Sequence, residues 1–209
     1  MLLSLDYLKD TFSLDIRGVL HIGAHHGQEY QMYKKHNIKN LVFFEPLSNN
    51  FAKLKTNVVE TKTVKLVNKA LGNANTTVKM YVESANQGQS SSILKPNLHL
   101  KQYPHITFDK TEMVEMVKLD DFCDILDVSN YNMINMDVQG YELEVLKGSE
   151  SFLQHIDYIV SEVNRAPLYK GNVFVEELDE FLSGKGFARV VTDWQGGTWG
   201  DALYVKHNA

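Results

Sequence analysis

Short apolar runs alternate with amphipathic stretches along most of the chain. Val19-Leu20-His21-Ile22 is stopped by Gly23, Leu41-Val42-Phe43-Phe44 by Glu45-Pro46, and Met133-Ile134-Asn135-Met136 by Asp137. Apolar runs this short, closed by turn residues, predict buried strands. Val64–Val67 reads the same way, as does Tyr158–Val160, closed by Ser161-Glu162. The stretches between them carry the helical period. Tyr30 and Tyr33 share a face in the segment from Gln28 to His36, and Phe51, Leu54 and Val58 follow Ser48, a residue suited to an N-cap. Glu142–Lys147 predicts a helix ended by Gly148, and Ser149 is placed to cap a short one carrying Phe152, Leu153 and Ile156. Phe174, Leu178 and Phe181 define a further helix, stopped by Gly184 and Gly186. Ala188–Thr192 and Ala202–Val205 predict a final antiparallel hairpin around Gly196-Gly197.

The middle departs from this rhythm. Val78, Met80 and Val82 alternate with polar residues, Ser84 to Ser92 is polar loop, and Glu112 to Leu119 predicts another strand. Residues 73–119 therefore read as an elaboration on the sheet, too poor in apolar residues for a core of their own. Residues 1–17 read as an N-terminal amphipathic helix with acid inside its apolar stretch, which is not a signal peptide. Strands alternating with helices predict an α/β fold, a mostly parallel sheet with helices on both faces. A length of 209 residues predicts a single domain over 1–209.

Composition narrows the partners. A formal charge of −5 and a longest basic run of only Lys34-Lys35-His36 give no nucleic-acid footprint. No apolar run approaches the ~20 residues that span a bilayer, so no membrane partner is expected. With the single cysteine, Cys123, no intrachain disulfide is possible, and a cytoplasmic location follows by elimination.

In open α/β sheets ligands bind beyond the carboxyl ends of the strands, so the strand tips carry the chemistry. The first ends in Gly23-Ala24-His25-His26-Gly27, and the second in Glu45, twenty-two residues after Gly23. A glycine turn followed by a carboxylate that can bond ribose hydroxyls points to a nucleoside ligand. The dinucleotide fingerprint would need glycines where His25 and Gln28 stand. The spacing G-x-x-x-G instead suits a cofactor without phosphates, such as S-adenosylmethionine. No His/Cys spacing of a metal site is present, and none is expected.

A second cluster is more specific. Asp137, Gly140, Glu142, Leu146 and Gly148 spell D-x-x-G-x-E-x-x-x-L-x-G behind a strand. With the Gly23 turn, Phe44-Glu45-Pro46, Asn68-Lys69-Ala70-Leu71, Ser90-Ser91-Ser92, Val117–Phe122 and Val160-Ser161-Glu162, the chain resembles the FkbM family of S-adenosylmethionine-dependent methyltransferases over about residues 18–205. The resemblance implies a Rossmann-like class I methyltransferase fold with a seven-stranded sheet and a small β insertion. It implies O-methylation of a sugar, glycan or glycosylated small molecule. Around the cofactor it implies His21, Gly23, Ala24, Gly27, Glu45, Pro46, Asn68, Ala70, Leu71, Asp137 and Gln139. One departure stands out: the family usually carries an acid two residues before the first glycine, and this chain has His21.

Methylating a hydroxyl requires a base within hydrogen-bond reach. Asp137, Glu162 and His25 or His26 are the candidates, with a salt bridge or cap as the alternative for Glu162 and turn filling for the histidines. Glu142 is expected to support the Asp137 turn. Trp194 and Trp199 flank a glycine-rich loop. Trp194 suits the core, whereas Trp199, with Asp201 and Tyr169, is a candidate for holding the acceptor, since an indole suits an amphipathic sugar face. The alternatives are a non-catalytic nucleoside-binding module and, from the turn alone, a dinucleotide-dependent oxidoreductase.

Overall fold

The computed structural model describes residues 2–207. In chain order the elements are α1 (Leu5–Phe12), β1 (Gly18–Ile22), α2 (Tyr30–Lys35), β2 (Asn40–Phe44), α3 (Ser48–Asn57), β3 (Val64–Val67), β4 (Ala70–Leu71), β5 (Thr76–Val82), α4 (His99–Gln102), β6 (Lys110–Val117), β7 (Met133–Met136), α5 (Glu142–Lys147), β8 (Tyr158–Asn164), α6 (Val175–Ser183), β9 (Phe187–Gln195) and β10 (Trp199–Lys206). The main sheet runs β3-β2-β1-β7-β8-β10-β9. Its first five strands are parallel, and β10 is antiparallel to both β8 and β9. The order reverses between β1 and β7, so their carboxyl ends open the crevice where this architecture binds ligands.

Alternation along each strand divides the core into two layers. Leu20 and Ile22 of β1 pack with Phe44, Ile134, Ile159, Val145 and Leu178 on the side of α5 and α6. Val19 packs with Phe43, Val160, Leu5, Leu8 and Tyr33 on the side of α1 and α2. A separate three-stranded sheet, β4-β6-β5, sits on Leu47, Ala70, Met80, Val114 and Met116. It is the β insertion. No helix among the described residues is long and apolar enough to cross a membrane.

Several boundaries differ from the sequence reading, each for a local reason. The N-terminal helix is shorter than residues 1–17: Ser4 caps it and Ser13, at φ 55°, ends it. Ser48 is not a cap but the first helical residue, its N–H held by Glu112 Oε1 at 2.9 Å. Ser149 does not cap through its side chain either, because its hydroxyl donates back to Val145 O at 2.6 Å. Residues 68–71 do not simply prolong β3. Ala70 and Leu71 leave the main sheet and pair with β6. β8 runs through Ser161-Glu162 to Asn164 because β10 pairs with it along its whole length, setting Asp201 opposite Glu162. The expected loop from Trp194 to Asp201 is a hairpin with both tryptophans on strands, and only Gly196-Gly197-Thr198 turns.

Candidate active site

The β1 turn is built by its neighbours. Gly23 N and Ala24 N both donate to Phe44 O, at 3.0 and 2.9 Å, and His25 N donates to Glu45 Oε2 at 2.8 Å. Gly23 has φ 78°, and a Cβ there would lie 1.9 Å from Asp137 O, so the tips of β1 and β7 approach this closely only with glycine between them. Gly27 has a different reason. Its absent side chain makes room for Leu54 and Val58, each 2.7 Å from where a Cβ would be, and it docks α3 instead of lining a cleft. Glu45 also accepts from Leu47 N at 2.9 Å, so its carboxylate clamps two turns at once. Burial pushes its pKa up to about 7.

Three clefts meet above these strand ends. The first, about 570 Å³, is an apolar slot between Phe44, Leu71, Met80 and Ile93 with Glu45 at its side, and Pro46 and Ala70 also border it. The second, about 700 Å³, is polar and holds His21, Ala24, Glu29, Asp137, Glu162 and Asp201. The third, about 1150 Å³, is bordered by Asp137, Glu162, Asp201, His99, Tyr103 and Trp199. Asp137 and Gln89 border all three. Asn68 stands behind the first cleft, where its amide donates to Glu45 O and Pro46 O at 2.8 and 3.0 Å.

The turn after β7 organises the junction. Glu142, fully buried, accepts from Val138 N and Gly140 N through Oε1, at 3.2 and 3.0 Å, and so holds the Asp137 turn from below. Its Oε2 is buried without a partner among the described residues. Gln139, at φ 56°, is the hub: its Nε2 donates to Asp137 Oδ1 at 2.6 Å and Glu162 Oε2 at 2.7 Å. The Tyr169 hydroxyl lies 2.7 Å from Gln139 Oε1 and 2.8 Å from Ser90 O, and donates to one of them at a time. Tyr169 is fully buried and braces the hub from behind. Burial, with neighbouring carboxylates adding to it, raises the Glu162 pKa well above the usual range, and burial raises Asp137, Glu142 (to about 7) and Asp201 (to about 6) as well. Asp201 also accepts the Leu2 N–H.

The histidines of the β1 turn are engaged. His25 accepts from Gln28 Nε2 at its Nδ1, 2.7 Å away, and its Nε2 donates to Gln87 O at 2.9 Å. Its ring stacks on His26, with centroids 3.6 Å apart, and His26 Nε2 meets Asn50 Oδ1 at 3.3 Å. His25 thereby ties the β1 turn to the polar loop of residues 84–92. Buried Glu83 shapes that loop by accepting from Asn86 N and Gly88 N.

Sequence reasoning missed Gln89, His99 and Tyr103. Gln89 lay in a stretch that composition marks as plain loop, and α4, a single turn, is too short for periodicity to reveal. Trp199 Nε1 donates to Tyr103 Oη at 3.0 Å, and His99 packs against Tyr103 and Tyr169. The insertion thus lines the third cleft together with β10. Trp194 packs on the core, with the Arg165 guanidinium 3.5 Å above its ring.

The chain is similar to known methyltransferases. The model of the methyltransferase FkbM domain matches residues 21–188. The 2-O-methyltransferase NoeI of Sinorhizobium fredii is 26% identical over 191 residues, spanning 88% of this chain and 77% of that protein. Among solved structures, a candidate tRNA (m1A22) methyltransferase of Streptococcus pneumoniae, in complex with S-adenosyl-L-methionine, superposes with a TM-score of 0.53 at 11% identity, covering 97% of this chain and 71% of the other. A Streptococcus agalactiae protein of the NADB-Rossmann superfamily superposes with a TM-score of 0.54 at 12% identity, covering 100% and 71%. At such identities the structural likeness establishes the fold alone, but the family match spans most of the chain. This protein belongs to the FkbM family of S-adenosylmethionine-dependent methyltransferases.

Proposed function

We propose that the protein methylates a hydroxyl of an uncharged sugar or glycan held in the third cleft. The cofactor fits the other two. The apolar first cleft suits adenine, and Glu45, whose two oxygens each hold one backbone N–H, presents a carboxylate at its side for the ribose hydroxyls. The polar second cleft suits an amino-acid end. The observation that carries the acceptor reading is the third cleft itself. Aromatic rings of His99, Tyr103, His105 and Trp199 share it with three carboxylates, and among the described residues no lysine or arginine borders it. Such a lining suits a polyol with an apolar face and sets three carboxylates against a phosphate or carboxylate acceptor. The 2-O-methyltransferase relative supports an oxygen acceptor.

Bound S-adenosylmethionine supplies an electrophilic methyl group on its sulfonium. The chain has two tasks, to aim the hydroxyl at that methyl and to take its proton as the C–O bond forms and the C–S bond breaks. Asp137 and Glu162 border both the second and third clefts and share Gln139, so the proton goes to this pair. Carboxyls lifted toward neutrality by burial are well matched to that role. His25, with both ring nitrogens committed, serves as a strut, as Tyr169 does.

The test is methyl transfer from tritiated cofactor to neutral methyl glycosides and their phosphorylated counterparts. The label should enter the neutral glycosides as a base-stable ether. Label released by mild base, or preference for the phosphorylated acceptors, would refute the assignment.

A further inference from the structure

The third cleft contains a donor whose direction the protein itself sets. The hydroxyl of Tyr103, just past α4, receives two hydrogen bonds, from Trp199 Nε1 at 3.0 Å and from Gln102 Nε2 at 2.9 Å. An indole N–H and an amide NH₂ only donate, and a hydroxyl has two lone pairs, so both of its acceptor positions are taken. The phenol proton remains. Among the described residues no acceptor meets it, and the half-buried Tyr103 borders the cleft. The ring is held in place. His99 packs against it with centroids 5.0 Å apart, and Gln102 Nε2 also donates to Thr198 Oγ1 at 2.9 Å. The start of α4 is fastened to the loop after β8, where Leu168 O accepts from Asn97 N and His99 N at 2.8 and 3.1 Å.

This donor stands across the cleft from acceptors. Trp199 and Asp201 are two residues apart on β10, so their side chains leave the same face of the strand, with Cα atoms about 7 Å apart. Asp201 lies opposite Glu162 in the sheet. The cleft thus has a carboxylate end, at Asp137, Glu162 and Asp201, which takes hydroxyl protons, and an indole end, at Trp199, to which the phenol is bonded. A sugar ring lying on the indole bridges that span. One of its hydroxyls reaches the carboxylates, and an oxygen on its other edge reaches the phenol proton.

We propose that Tyr103 is a specificity-determining residue: its hydroxyl donates to a second hydroxyl oxygen of the acceptor sugar, one that is not methylated, while Trp199 and Gln102 keep the phenol proton turned toward it. The proposal rests on the sugar reading of the third cleft and adds one contact to it, so the two can fail separately.

The test compares the best neutral methyl glycoside acceptor with its monodeoxy analogues, each lacking one hydroxyl other than the methylated one, in wild type and in Tyr103→Phe. The variant should raise the KM of the parent glycoside about 3- to 10-fold, the worth of one hydrogen bond between neutral groups. Its kcat and, by calorimetry, its affinity for S-adenosylhomocysteine should stay nearly unchanged. One monodeoxy analogue should show a similar KM penalty with wild type and none with Tyr103→Phe, because the two changes remove the same bond. KM does not depend on how much of the variant is folded, so lost stability does not mimic this result. A merely structural clasp would leave every analogue's penalty the same in both enzymes. That additivity, or an unchanged KM in the variant, would overturn the proposal while the sugar reading stands. If wild type methylates no neutral glycoside, the sugar reading fails and this contact with it.

Discussion

Glu142 should make the protein less stable as pH rises, and Glu142→Gln should remove that dependence. The carboxyl is fully buried, and desolvation lifts its pKa from 4.5 to about 7. In the unfolded chain the same group loses its proton near 4.5. Between those values the unfolded state binds fewer protons than the native state, so stability falls as pH rises through this window and levels off above about 7. A shift of about 2.5 units, at about 1.4 kcal/mol per unit, corresponds to about 3 kcal/mol in full, of which about 2–3 kcal/mol falls between pH 5 and 8. A glutamine amide oxygen can still accept from Val138 N and Gly140 N, so the Asp137 turn keeps its support. Urea unfolding of the cofactor-free protein, followed by circular dichroism at pH 5 and pH 8, measures the effect. The variant should gain about 2–3 kcal/mol on wild type between the two pH values, with m-values unchanged. A difference between variant and wild type that is the same at both pH values would refute the reasoning.

Two further outcomes follow from the clefts. Trp199→Ala should leave cofactor affinity intact and cost well under the ~3–5 kcal/mol of an emptied core aromatic site, since the indole borders the third cleft and bonds only Tyr103; it should raise the acceptor KM, and a large drop in melting temperature with unchanged kinetics would contradict this. Affinity for S-adenosylmethionine, with its sulfonium, should rise with pH more steeply than affinity for the net-neutral zwitterion S-adenosylhomocysteine, because Asp137, Glu162 and Asp201 have raised pKa values and ionise more readily beside a cation; calorimetry in buffers of different ionisation heat would read the released protons, and equal pH slopes would rule the coupling out.

The parts of the fold legible in the sequence are those in which one residue pattern answers one constraint. A strand buried on both faces must be apolar, and a strand tip that meets another backbone must be glycine, so β1, β2, β7 and the Gly23 turn announce themselves. The Asp137–Gly148 run is legible for a related reason: Glu142 is spaced to reach the N–H groups of the turn ahead of it. What stayed hidden depends on contacts distant in sequence. Asp201 reads as a loop residue until β10 sets it against Glu162. Ser48 looks like a cap until Glu112, on the insertion, takes its N–H. Tyr169 and Trp199 both suit a sugar, and only the packing separates the buried brace from the residue at the cleft.

The buried carboxylates connect stability to function. Asp137, Glu142 and Glu162 each raise one another's cost of ionisation, or have it raised by a member of the group, and an apolar replacement at these positions would serve the cold logic of folding better. A positive ligand entering beside them would offset that cost. The first strand contributes a neutral imidazole, among the described residues no lysine or arginine borders the third cleft, and S-adenosylmethionine carries an ammonium and a sulfonium. On the proposed function, the group whose ionisation costs the empty protein most is the one that would meet the cofactor's positive charge and take the acceptor's proton. Residues that break a local folding rule in this way are the first place to look for a reaction.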